Sequence, residues 1–128
     1  MVLVSGRFLL VGALAPLLLG APLMAHAAEL SPVESARIEY LIASIESLPN
    51  AQFIRNGTSY GAKAAAEHLR LKLRSAGSRV KSAEDFIRYC ASESSISGLA
   101  YQIRFADGRL VTASEYLRRR LAEYDRGR

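Results

Sequence analysis

Tryptophan is missing from this chain, and cysteine and histidine nearly so: its 128 residues include one Cys and two His. Each shortage closes off a chemistry. Cys90 has no partner in the chain, so no internal disulfide forms and packing alone must hold the fold. A zinc centre needs several thiolate or imidazole ligands, and beyond residue 27 the chain offers only His68 and Cys90. No EF-hand-like loop brings oxygens together for calcium. Neither a P-loop nor a GxGxxG fingerprint is present, so the nucleotide sites built on them are excluded and no cofactor is expected. Aromatic residues make up 8% of the chain and do not interleave with basic ones as stacking motifs. Nucleic acid is therefore not an expected partner.

What is present begins with an address. Arg7 supplies a positive start, and Phe8 to Leu23 is apolar but interrupted by Gly12, Pro16, Gly20 and Pro22. Ala25-His26-Ala27 then places small residues where a signal peptidase reads, so residues 1–27 are expected to be a cleavable signal peptide. A retained anchor would need about 20 apolar residues without two internal prolines, so no integral membrane segment is expected after cleavage. Residues 28–128 are then expected to form one domain, with the periplasm as its compartment. Of 17 basic and 12 acidic residues, only Arg7 falls in the leader. Sixteen basic against 12 acidic residues leave a mature charge of +4, compatible with anionic envelope polymers as neighbours.

Along the mature chain the hydrophobic period changes four times. Ser31-Pro32-Val33-Glu34 reads as a helix start with a capping box, followed by a stripe of Ile38, Leu41, Ile42, Ile45 and Leu48 that ends at Pro49. Phe53-Ile54-Arg55 and Thr58-Ser59-Tyr60 flank Asn56-Gly57, the dipeptide of a tight hairpin turn. Asn56-Gly57-Thr58 also fits a glycosylation sequon, but the turn accounts for it. A second helix follows from about Gly61 to Ala76, with Gly77 expected in the left-handed cap position. Its core stripe is Ala62, Ala65, Ala66, Leu69, Leu73 and Ala76, beside a charged stripe of Lys63, Glu67, Arg70 and Arg74. A third line, Ala64, His68, Leu71 and Ser75, implies contact on a second side, by another element or by a ligand.

Ser82 caps a short third helix in which Ala83, Phe86, Ile87 and Cys90 share a face. Glu84 and Asp85 sit in its first turn, where the helix dipole favours carboxylates, so they need no catalytic role. A hydroxyl-rich loop, Ser92 to Gly98, ends it. Leu99, Tyr101, Ile103 and Phe105 then alternate with polar or small residues and predict a half-buried strand. Asp107-Gly108 turns the chain into Leu110-Val111-Thr112, and a last helix starts near Thr112 or Ser114. The expected fold is α+β, with about four helices and a small antiparallel sheet built from two short hairpins.

At FIRNG, EHLRLKL, SAEDFI, ASESSISG and the following YQIR…DG, the chain resembles the YfeK-like family of small exported bacterial proteins. The motifs occur in matching order between about Ile38 and Leu121. The resemblance implies a bacterial, periplasmic setting, which also weighs against glycosylation at Asn56. It implies no mechanism, because the family has no assigned activity and no defined catalytic residues.

Two functional readings stand on the residues themselves. The first is a non-catalytic binding or accessory protein, its partner an anionic cell-envelope component or another protein. Arg55, Tyr60, His68, Arg70, Leu71 and Arg104 are its candidate binding residues, with guanidinium and phenol groups able to grip a carboxylate or phosphate. If Phe53 and Ile103 point inward, Arg55 shares their face while Arg104 lies on the other, so the two arginines need not converge. The second reading is a small envelope hydrolase in which His68 activates Ser94 or Ser95, although no nucleophile elbow supports it. Cys90, set in an apolar stripe, reads as inert core. The arginines of the last helix (Arg118, Arg119, Arg120, Arg126 and Arg128) suit either an anionic surface or the helix dipole alone.

Overall fold

A computed structural model of the protein describes residues 29–128, together with residues 12, 13, 16 and 20. The expected signal peptide therefore lies outside the described residues, apart from those four positions. Helix α1 spans Pro32–Glu46, and strands β1 and β2 span Gln52–Arg55 and Thr58–Tyr60. Helix α2 covers Ala62–Ala76 and α3 covers Ala83–Cys90. Strands β3 (Gln102–Arg104) and β4 (Leu110–Thr112) precede the final helix α4, Ala113–Arg126. The class is α+β.

Both hairpins join one antiparallel sheet in the order β2-β1-β3-β4. Asn56 and Gly57 take φ of 51° and 75°, the paired positive values that a two-residue hairpin turn demands. The seam between the hairpins is β1 on β3, where Phe53 faces Ile103 and Gln52 faces Arg104. Phe53 and Ile103 point into the core, and Arg104, one residue on, is exposed. Helix α2 packs on β1 and α4 on β4, while α1 touches the other three helices. Their shared core is Ile38, Leu41, Ile42, Ile45, Phe86, Ile87 and Leu117, each at most 1% exposed.

Three expectations need correction. The capping box of α1 forms only by half: Ser31 accepts the Glu34 amide at 3.2 Å, but the Glu34 carboxylate does not return to the cap. It accepts instead from the amide of Ala83 at 2.6 Å and from Arg37 at 2.7 Å. A carboxylate that meets an orphan amide of another helix gains more than it would from its own exposed cap. Glu34 thus ties α1 to the start of α3. The second correction concerns Gly77, which has φ 54° but ψ −129°. It turns the chain sharply into a 3₁₀ turn at Gly77–Arg79 instead of taking the left-handed helical well.

The third correction is the strand at Leu99. Regular pairing in β3 is confined to Gln102–Arg104, and Leu99 is 58% exposed. The loop Ser92–Gly98 has folded back on itself there, with the Ser94 amide donating to the Leu99 carbonyl at 3.0 Å. A backbone already committed to that loop cannot also extend the sheet. The helix stripes, by contrast, fall where the period places them. Leu69 is 7% exposed and Leu73 is half-buried, so α2 turns its leucines inward.

Candidate functional site

Between α2 and the sheet lies a cleft of about 380 Å³. Alternation along β1 sends Arg55 to the same side as Phe53, and the tight turn returns Tyr60 opposite Phe53. Helix α2 adds His68 and Leu71 from one line, while Tyr101 enters just before β3. Leu69 and the fully buried Ile45 and Leu117 also line it, so the cleft reaches the core.

The polar end is one connected network. Arg55 is half-buried, and its Nη1 lies 2.7 Å from His68 Nδ1, while its Nη2 donates to the Tyr60 hydroxyl at 3.1 Å. Its guanidinium also rests 4.8 Å from the Tyr60 ring centroid. His68 Nε2 is 3.4 Å from the Tyr101 hydroxyl, which in turn accepts from Lys72 Nζ at 3.0 Å. Lys72 also donates to the Glu93 carbonyl at 3.2 Å.

Donor accounting assigns the charge of the histidine. A guanidinium can only donate, and Arg55 Nη1 lies 2.7 Å from Nδ1 and 3.0 Å from Nε2, so one ring nitrogen must accept from it. The ring is therefore neutral, and its pKa is held below the ordinary imidazole value. Burial is the main cause, with the Arg55 and Lys72 charges adding to it. Tyr60 accepts from Arg55 and Tyr101 from Lys72, so the O–H proton of Tyr60 stays available. Arg55 uses two of its five N–H groups. The network is thus rich in donors, and no carboxylate lies within salt-bridge distance of Arg55 or Lys72 among the described residues. Glu67 lines the cleft, but from an exposed position.

The candidates named from sequence separate clearly. Arg55, Tyr60 and His68 come together, and Leu71, 52% exposed, lines the same cleft. Arg70 does not join them; it pairs with Glu46 at 2.8 Å on the outer surface. Arg104 is exposed on the far face of the sheet. Ser94 is 4% exposed, and its hydroxyl meets the Asn56 side chain at 3.2 Å and the Ile96 amide at 3.3 Å. Those contacts, with Ser97 donating to Asn56, fasten the serine loop to the hairpin turn. Ser95 is exposed, and among the described residues no serine is a partner of His68. Cys90 is fully buried, and burial raises its thiol pKa, which keeps it protonated and unreactive.

Sequence reasoning missed Tyr101 and Lys72 as members of this network. Tyr101 reads as a core residue of an alternating strand. The usable signal was its hydroxyl, because a buried phenol needs a polar partner.

Among the described residues no group of three or more His, Cys, Asp or Glu could hold a metal ion. No helix among them is long and apolar enough to cross a membrane.

Residues 32–125 match a family described as of unknown function, DUF5329. The chain belongs to that family. A relative of the DUF5329 chain in Salmonella typhimurium, described as "Uncharacterized protein YfeK", is 40% identical over 68 residues. That match covers 53% of this chain and 57% of the relative, so the chain spans a little over half the relative's length. No solved structure matches.

Proposed function

We propose that this DUF5329 protein is a small periplasmic binding protein whose α2–β1 cleft seats an anionic group on Arg55, without catalysis. One observation carries the reading: among the described residues, a half-buried guanidinium in a largely apolar cleft has only a neutral imidazole and a phenol as hydrogen-bond partners. A buried cation without a counter-charge is costly, and the usual protein remedy is a carboxylate neighbour. Here the neighbours add hydrogen-bond donors instead of charge, which is the lining an incoming carboxylate or phosphate needs. The periplasmic setting rests on the leader-like residues 1–27 and on the family resemblance. Fractionation of cells expressing the full chain tests that setting; protein retained in the cytoplasm would refute it.

The binding claim is tested by titrating the purified protein with acetate and with phosphate while following amide resonances. Saturable shifts centred on residues 53–60 and 68 are expected, and they should vanish in Arg55→Met. Shifts that survive this substitution, or no saturable shift with either anion, would contradict the reading.

A further inference from the structure

The polar network occupies one end of the cleft; apart from Glu67, Arg74 and Gln102, the rest of the lining is apolar. Phe53 and Leu69 form its walls, alanines (Ala65, Ala91 and Ala113 among them) widen it, and buried Ile45 and Leu117 lie at its floor. Alanine contributes no polar atom and leaves space that a larger side chain would fill. That apolar part of the lining has no partner for the hydroxyls of a sugar or for a polar peptide. It favours an apolar body, because removing that body from water is the main gain available there.

Charge sets the other constraint. The lining carries two guanidinium groups, Arg55 and Arg74, against one carboxylate, Glu67. With His68 neutral, the lining itself balances to a single positive charge, and Lys72 stands behind it with its Nζ on the Tyr101 hydroxyl. A monoanion matches the charge of the lining, and one carboxylate is met by the Arg55 guanidinium and the Tyr60 hydroxyl. Size gives the third limit. At roughly 30 Å³ for each water-sized group, a 380 Å³ cleft holds about a dozen non-hydrogen atoms.

From this we propose that the ligand is a small amphiphilic monocarboxylate: one carboxylate on Arg55 and an apolar body of about eight to ten carbons. The body lies between Phe53 and Leu69 and reaches toward Leu117. This inference rests on the anion reading above and adds to it the shape and polarity of the rest of the ligand.

A calorimetric series on protein purified after expression of the full chain tests it, using acetate, hexanoate, octanoate, decanoate and the uncharged 1-octanol. Affinity should tighten about fourfold for each added methylene until the cleft is full. Octanol should bind at least tenfold more weakly than octanoate. Ala65→Phe should flatten the chain-length series while leaving acetate binding in place, and the wild-type series decides the matter if that variant does not fold. Acetate binding as tightly as octanoate would overturn the amphiphile inference and leave the anion site standing. Octanol matching octanoate would remove the carboxylate from the proposal, and no binding by any acid would overturn both readings.

Discussion

Arg37 and Arg55 both sit half-buried against the core, and their guanidinium groups keep opposite company. Arg37 lies on the helical side of the molecule. It grips Asp125 through two bonds of 3.1 and 2.7 Å and Glu34 through a third of 2.7 Å, joining the start of α1 to the end of α4. Those carboxylates hold its pKa above even the ordinary guanidinium value. Arg55, across the molecule, has a histidine and a tyrosine instead. The first arginine closes the structure, and the second keeps donors and charge in hand. The comparison teaches that charge alone does not mark a site in this chain. A marked site is a cation that the fold has left without its counter-charge.

The largest expected effect lies on the helical side. Phe86 is fully buried, and Phe86→Ala should cost about 3–5 kcal/mol in urea unfolding. Glu34→Ala comes next. It strips the Ala83 amide of its acceptor and Arg37 of one carboxylate, for a loss of about 1–3 kcal/mol. The same measurement on Arg55→Met should give a far smaller change, within about 0.5 kcal/mol, because an uncompensated charge leaves an apolar cleft. A loss for Arg55→Met as large as for Glu34→Ala would erase the contrast between the two arginines.

Much of this scaffold was legible in the sequence because local signals carried it. Asn56-Gly57 fixed one turn, and Ser31 and Ser82 cap α1 and α3 as their positions suggest. The stripe of α2 identified its buried side, and alternation along β1 and β3 separated Arg55 from Arg104. What stayed hidden depends on contacts between distant residues. Glu34 bonds across 49 positions to Ala83, and Tyr101 reaches His68 across 33. Neither partner can be chosen from spacing, since only the packing of distant elements brings them together. Arg70 illustrates the same limit: its sequence gives a cation on an exposed stripe, and only the packing of α1 beside α2 supplies Glu46.

The smallest effect is a pH dependence. His68 is kept neutral, facing Arg55 from β1 and Tyr101 ahead of β3, with Lys72 and Glu67 on its own helix. Its folded-state pKa lies below that of the unfolded chain, so the unfolded state takes up the proton first as pH falls. Its contribution to stability is present above about pH 6.5 and is lost as pH falls through the folded-state value. Relative to His68→Gln, the wild type should therefore weaken below about pH 6.5 and match a constant offset above pH 7. Urea unfolding of both proteins across that range measures it; parallel curves would remove the burial and charge argument for His68.

The central claim, that Arg55 seats an anion beside a neutral His68, is most directly tested by titrating the His68 ring protons by NMR. The titration is run in acetate and in chloride at equal ionic strength. A carboxylate on Arg55 screens the charge that depresses the imidazole, so the His68 pKa should rise in acetate, and the rise should disappear in Arg55→Met. An identical His68 pKa in the two salts, with acetate at a concentration that saturates the protein, would contradict the account.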